Sequence, residues 1–371
     1  NTRLQVEHPV TELVTGQDLV ELMIRVANGE ELPLRQEDVK LTGWAMESRV
    51  YAEDPFRNFL PSIGRLVKYE PPVGDNVRVD TGVYEGGEVS MFYDPMIAKL
   101  ITYGANRNEA ITRMQDALDA YCIRGVQHNI SFLNALMVHP RFIEGRLTTN
   151  FIAEEFPDGF DASYVPQDDP AKVVAVAAMI HRQYMDRAAR LSGQLRGHER
   201  KVNDEWVVII NGEHHAVSAV PANGGCRVEY AGNGYDVTTE WALGQPLLHG
   251  TINGQLVCFQ VERKGLWLRL FHRGNQTDAL VMTPRAAELH ALMPEKEAPD
   301  LSKFLLSPMP GLLVKVSVVE GQEVKAGEEL AVIEAMKMEN VLRAEQDATV
   351  ASIQAEAGDS LRVDQVIIEF E

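Results

Sequence analysis

Cysteine is scarce, with three residues in 371: Cys122, Cys226 and Cys258. No two stand at metal-motif spacing, and an odd number leaves one unpaired. This argues against a disulfide framework or a zinc knuckle and makes a reducing compartment the default. Long hydrophobic runs are also missing. None approaches the ~18–20 residues that span a bilayer, so an integral membrane protein is not expected. Positive charge is in deficit: 35 Lys and Arg against 54 Asp and Glu give a net charge of −19. That balance speaks against nonspecific binding to nucleic acid or to an anionic membrane. The first residue is Asn1 and no signal-like segment follows. The sequence reads as starting inside a folded unit and carries no information on targeting.

What is present is the profile of a multidomain globular chain, with 45% hydrophobic and 24% charged residues. Its length predicts two or three domains. Residues 1–8 alternate as a short polar strand, and 17–27 read as a helix with Leu19, Val20, Met23, Ile24 and Ala27 on one stripe. Strand-like runs follow at 44–52, 64–70, 77–84 and 88–103. Asn106 with Glu109 forms a capping-box pattern for a helix to about Tyr121, and another helix spans about 129–138. Together these predict an α+β unit with antiparallel strands. Residues 156–168 read as a linker. Pro170 suits the first turn of a long helix, about 170–195, whose stripe runs from Val173 to Leu191. Asn-Gly pairs at 211–212, 223–224, 233–234 and 253–254 then favour tight hairpins. Six or more antiparallel strands are expected from Trp206 to Met282, packed on that helix.

A Pro- and charge-rich linker, 289–303, precedes an internal repeat at an offset of 37. EGQEVKAGEELAVIE (320–334) lies over AGDSLRVDQVIIEFE (357–371), matching Gly321 with Gly358, Val324 with Leu361, Leu330 with Ile367 and Ile333 with Phe370. Two similar all-β halves predict a small pseudo-twofold sandwich. Between them lies Glu334-Ala335-Met336-Lys337-Met338-Glu339-Asn340. A lysine between methionines is ordinarily a solvated surface residue. At the junction of two repeat halves, on a tethered domain, it can instead be modified and carried between distant sites at high effective concentration.

The N-terminal stretch offers a second chemical pattern. In an extended strand Asn1, Arg3, Gln5 and Glu7 share one face. That set could hold a small planar anion on Arg3 and Gln5 while Glu7 removes a proton. The plain alternative is a polar edge strand with Arg3–Glu7 pairing.

Two motifs carry a resemblance. Ser307-Pro308-Met309-Pro310-Gly311 with Glu334-Ala335-Met336-Lys337-Met338 resembles the biotinyl carrier domain of biotin-dependent carboxylases. It implies covalent biotin on Lys337, attached by a biotin protein ligase. A lipoyl domain shares the two-half architecture but usually has Asp-Lys-Ala around its lysine. Asn1-Thr2-Arg3-Leu4-Gln5-Val6-Glu7-His8-Pro9 is similar to the active-site strand of biotin carboxylases, which have the ATP-grasp fold. The resemblance implies Asn1 as a Mg2+ (or Mn2+) ligand. It implies bicarbonate held by Arg3, Gln5 and the Val6 N–H, with Glu7 as the base that prepares it for attack on ATP. Arg49, in Glu47-Ser48-Arg49-Val50-Tyr51-Ala52-Glu53-Asp54-Pro55, matches the family arginine that stabilises the biotin enolate; its bland reading is an ion pair with a neighbouring carboxylate. The glycine-rich loop and other ATP-contacting parts of that family would precede Asn1. The chain by itself is therefore expected not to use ATP.

Only about 150 residues separate the two motifs, too few for a carboxyltransferase barrel. The pattern resembles acyl-CoA carboxylase α-subunits. These imply the end of a biotin carboxylase domain (1–160), an α/β-subunit docking domain with a barrel-like sheet around a long helix (161–288), a linker (289–303) and a biotinyl carrier (304–371). The implied assembly is a hetero-oligomer with a carboxyltransferase β-subunit that binds the acyl-CoA. LPSIGRL (60–66), FYDPMIAKLITYG (92–104), YCIRGVQHNI (121–130) and FPDGF (156–160) look closest to the propionyl-CoA carboxylases, with the 3-methylcrotonyl-CoA carboxylases as the alternative. A further reading is a non-catalytic docking and carrier piece. The location implied is bacterial cytoplasm, or mitochondrial matrix in a eukaryote. The ten histidines show no ligand spacing, and His8 reads as structural.

Overall fold

The computed structural model describes residues 3–90, 93–166, 169–294, 301, 303–335 and 338–371. Asn1 and Lys337 lie outside them. Near the N-terminus the expected strand is not formed. Residues 3–5 have no regular structure, Val6-Glu7 turn, and helix α1 (His8–Thr15) follows with Pro9 in its first turn. Proline is pre-set for that position and lacks the N–H a strand would use. Gly16, at φ 69°, closes α1 through its N–H to Glu12 O. Asp18 then caps α2 (Leu19–Ala27) by accepting from Glu21 N at 2.8 Å. No residue of α2 is buried, so its apolar stripe stays open, with Ile24 66% exposed.

Strands β1 (Trp44–Tyr51), β2 (Val77–Thr81) and β3 (Met96–Gly104) form an antiparallel sheet in the order β1-β3-β2. Alternation assigns its faces. Met46, Val50, Ala98 and Leu100 are buried with Ala110, Ile111, Met114 and Leu118 of α3 (Arg107–Asp119). Asn106 caps α3, and the reciprocal bond of Glu109 goes to Ala105 N rather than to Asn106 N. Helix α4 (Ile130–Val138) joins the same core. The opposite face of the sheet carries Glu47, Arg49, Asp80 and Lys99.

Helix α5 (Pro170–Ala189) is shorter than its apolar pattern suggested, and Leu191 lies beyond it, 61% exposed. Val173 to Ile180 are buried without a break. A helix apolar all round must be enclosed. Eight strands enclose it: β4 (Glu205–Ile210), β5 (Glu213–Ala222), β6 (Gly225–Tyr230), β7 (Asn233–Thr239), β8 (Leu247–Ile252), β9 (Gln255–Lys264), β10 (Trp267–His272) and β11 (Asn275–Met282) close into an antiparallel barrel. Ala175, Ala177 and Ala178 keep the helix slim, while Val208, Val228, Leu248, Phe259 and Leu270 fill the space around it. Three of the Asn-Gly pairs sit in hairpin turns, but Asn233-Gly234 begins β7 and the turn falls on Ala231-Gly232, at φ 50° and 79°. Helix α6 (Pro284–His290) packs Ala287 on the outside of the barrel with Val207, Ile209 and Leu280.

Buried polar contacts join barrel and sheet unit. Asp119, at the end of α3, accepts from Arg273 N at 2.7 Å. Gln260 donates to Asp119 O at 2.9 Å and Tyr121 O at 3.1 Å. The Arg124 guanidinium lies 4.1 Å from the centre of the Phe271 ring.

The last unit is two four-stranded sheets. Strands β12 (Phe304–Leu306), β13 (Gly311–Val316), β14 (Glu323–Val324), β15 (Glu329–Ala335), β16 (Met338–Arg343), β17 (Ala348–Ile353), β18 (Ser360–Leu361) and β19 (Val366–Phe370) order as β12-β19-β17-β14 and β16-β15-β13-β18. The offset of 37 reappears bond for bond. Gly321 N to Val350 O at 2.8 Å matches Gly358 N to Leu313 O at 2.7 Å. Ser317 N to Leu330 O likewise matches Gln354 N to Ile367 O. Gly321 and Gly358 both have positive φ, at 78° and 101°, a conformation that favours glycine. Val324, Leu330, Ile333, Leu361 and Ile367 meet in one core.

Candidate functional site

The polar face of the β1-β3-β2 sheet carries Arg49, Lys99 and Asp80 in direct register across its three strands. The segment before α1 lies on this face. Lys99 Nζ reaches Val6 O at 3.4 Å and Asp80 at 3.3 Å. Asp80 takes two bonds from Arg78, and Arg78 Nη1 binds Glu12 in α1 at 2.8 Å. The other oxygen of Glu12 accepts from Leu19 N at 2.9 Å. Turn, helix and sheet are thus tied by one chain of charges. Burial raises the Asp80 carboxyl, but the bonds from Arg78 and Lys99 outweigh it and hold it below its ordinary range.

Arg49 and Glu7, 42 positions apart in sequence, meet here. Arg49 Nη2 is 3.3 Å from Glu7 Oε2. Arg49 Nε is 3.7 Å from Glu47 Oε1, two residues back on the same face of β1. The Glu47 side chain is only 6% exposed, and its Oε2 is buried with no hydrogen-bond partner among the described residues. Burial pushes the Glu47 carboxyl up, opposed by the charges of Lys99 and Arg49. Arg3 and Gln5 are exposed, and Val6 offers Lys99 its carbonyl. Because Val6-Glu7 turn, the shared strand face expected of residues 1–7 is not what joins these groups. His8 Nδ1 lies 2.8 Å from Gln5 O, a local contact within that turn.

The structure therefore brings Glu7 and Arg49 together, with Arg3 and Gln5 just upstream. It adds Glu47, Lys99 and Asp80, to which the sequence reading gave no role. The signal for them was alternation: Lys99 in MIAKLITYG falls on the polar side, and Glu47 shares a face with Arg49. The donor set suits a small oxyanion, with Arg3, Gln5 and Arg49 exposed or half-exposed and one carboxylate beside them. Among the described residues no group of three His, Cys, Asp or Glu could hold a metal ion.

The second motif is at one end of the sandwich. From Ala331 the β15–β16 hairpin runs in register to its last described pair, Ala335 with Met338. The pseudo-twofold maps this hairpin onto the β12–β19 pair: Ala331↔Leu342 corresponds to Ile368↔Leu305. The end bearing Ala335 and Met338 is thus related to the end at which the chain enters the domain. Gly311 lets β13 approach β15; a Cβ there would lie 2.5 Å from Ile333 Cγ2 and 2.7 Å from Glu334 O. Ser307 is fully buried and donates to Met309 O at 2.7 Å, fixing the Ser-Pro-Met-Pro loop beside Asn340.

Comparison with known proteins bears on every unit. Residues 1–35 match the family described as carbamoyl-phosphate synthase L chain, ATP binding domain, and 47–154 match the biotin carboxylase C-terminal domain. Residues 173–296 match the propionyl-coenzyme A carboxylase BT domain, and 303–370 match the family described as biotin-requiring enzyme. The propionyl-CoA carboxylase alpha chain of Ruegeria pomeroyi is 52% identical over all of this chain and 58% of its own length. Unit by unit, the chain is similar to biotin-dependent carboxylases. The human mitochondrial propionyl-CoA carboxylase alpha chain is 42% identical over all of this chain and 52% of its own. The methylcrotonoyl-CoA carboxylase subunit alpha of Dictyostelium discoideum is 33% identical over 95% of this chain and 52% of its own. The chain spans somewhat over half the length of these α-chains. The biotin carboxylase family uses ATP and Mg2+, and the matched carrier domain is of the kind that takes covalent biotin. No helix among the described residues is long and apolar enough to cross a membrane.

Proposed function

We propose that this chain is part of the α-chain of a propionyl-CoA carboxylase. The observation that carries the reading is 52% identity to such an alpha chain across all 371 residues, against 33% to a methylcrotonoyl-CoA carboxylase subunit. In the proposed division, 1–160 contribute the end of a biotin carboxylase domain. Residues 161–288 dock a carboxyltransferase β-subunit, 289–303 tether, and 304–371 carry biotin on Lys337 after action by a biotin protein ligase. Biotin, when bound, supplies the atom that holds the carboxyl group between the two sites. The product is methylmalonyl-CoA, and the whole is a hetero-oligomer of bacterial cytoplasm, or of mitochondrial matrix in a eukaryote.

The roles of this chain's residues follow from their chemistry. Arg3, Gln5 and the Val6 N–H bind bicarbonate; Asn1 contributes to Mg2+ binding. Glu7 takes the bicarbonate proton, making the anion a nucleophile toward the ATP γ-phosphate. Arg49 stays charged throughout and stabilises the negative oxygen that develops next to it. The 3.3 Å Arg49–Glu7 contact supports placing base and cation together.

The test is fixation of labelled bicarbonate by the full-length protein with its β-subunit, offered propionyl-CoA and 3-methylcrotonyl-CoA. Preference for propionyl-CoA is expected. Preference for 3-methylcrotonyl-CoA would move the chain to the sibling enzyme, and fixation into neither would sink the reading.

A further inference from the structure

Arg49 stands between two carboxylates that differ in every physical respect. Glu7 is half-exposed, 3.3 Å from Nη2, and sits on a turn. The Glu47 side chain is buried on the central part of β1, 3.7 Å from Nε, with its second oxygen unpartnered among the described residues. An unpaired carboxylate oxygen in a protein interior is costly unless a donor reaches it in some state of the protein. The Arg49 guanidinium lies beside this carboxylate, 3.7 Å away, and its planar fork can engage both oxygens of one carboxylate.

Proton transfer makes this asymmetry matter. When Glu7 takes a proton from bicarbonate its negative charge disappears, and with it the attraction that holds Arg49 Nη2. An arginine held by Glu7 alone would be released at the moment its charge is needed. Glu47 does not take part in that transfer. Lys99, in register with Arg49, lends Glu47 a second positive neighbour.

We propose that Glu47 is a positioning residue that retains Arg49 at the site when Glu7 becomes protonated, its free oxygen taking the guanidinium as Glu7 lets go. This rests on the reading of Glu7 as base and Arg49 as charge stabiliser. Glu47 touches no substrate and acts through Arg49.

Two measurements on the full-length protein test it. The first is steady-state, biotin- and bicarbonate-dependent ATP cleavage. Glu7→Gln and Arg49→Ala serve as reference variants and are expected near background. Glu47→Gln keeps the shape and loses the charge. Its kcat is expected to fall on the order of 10–100-fold, the scale of a misplaced catalytic group. KM for ATP should stay within about twofold, as expected when ground-state binding is untouched, and Glu47→Asp should recover part of kcat. A Glu47→Gln kcat within about twofold of the parent, with both reference variants inactive, overturns the proposal and spares the reading it rests on. Full activity in both reference variants overturns the reading and the proposal together. The second measurement does not depend on turnover: a crystal structure of full-length Glu7→Gln. Arg49 is expected within hydrogen-bond distance of both Glu47 oxygens. An Arg49 turned away from Glu47 overturns the proposal.

Discussion

At the scale of single residues, the decisive features are close approaches and buried charges. Arg182 is the clearest case outside the site. Its guanidinium binds Asp186 at 2.9 Å, Asp204 at 2.5 Å and Ala219 O at 2.7 Å, tying α5 to β5. Arg182→Met should cost about 1–3 kcal/mol in urea unfolding of the full-length protein, because the buried Ala219 carbonyl loses this donor. Gly225 is a steric case. A Cβ there would lie 1.8 Å from Val237 O, a backbone atom across the β6–β7 pair. Gly225→Ala should lower stability by about 1–3 kcal/mol, the usual range for forced overpacking, whereas Gly224→Ala meets no atom within 4 Å and is strained only by its φ of 75°. Chemistry of this kind was partly legible. Arg49, Glu7, Arg3 and Gln5 stood out as residue types, but only the fold put Arg49 and Glu7 within 3.3 Å and disclosed Glu47 behind them.

At the scale of elements, periodicity was informative wherever one pattern dominated. The apolar alternation of β1 and β3, the cap of α3 and the 37-residue repeat appear in the structure because each is set by short-range geometry. Two elements escaped. Residues 3–7 alternate like a strand but feed a helix, since Pro9 favours the first turn of α1 over continued pairing. The Asn233-Gly234 pair looks like a turn, yet Gly234 sits in β7 under the Arg227 guanidinium, which a Cβ would strike at 1.8 Å. Ala231 does the turning at φ 50°, an unfavourable angle for alanine. Ala231→Asn should therefore stabilise the β6–β7 hairpin by roughly 0.5–1 kcal/mol, read as a raised urea midpoint. The strand pattern itself did not show closure of the barrel, which only the resemblance implied, because strand count does not say whether the first and last strands pair. The uninterrupted burial from Val173 to Ile180 is its consequence.

At the scale of the whole molecule, sheet unit and barrel are joined by Asp119, Gln260 and Arg273. Buried histidines give this body an acid limit. Burial lowers His128 and His181 to about 4 in the folded state, against about 6.5 when exposed, with Arg124 adding to the effect on the first and Arg263 on the second. Between those values the unfolded chain binds more protons than the folded one. Stability should therefore hold above about pH 6.5 and fall as pH drops toward 4. Urea titrations at intervals across that window should show it, and His181→Phe should flatten the slope. The proposed function stands on biotin carried by Lys337. The most direct measurement is mass mapping of the full-length protein purified from its native source. A biotin amide on Lys337 and on no other lysine is the expected result; an unmodified or lipoylated Lys337 would contradict it.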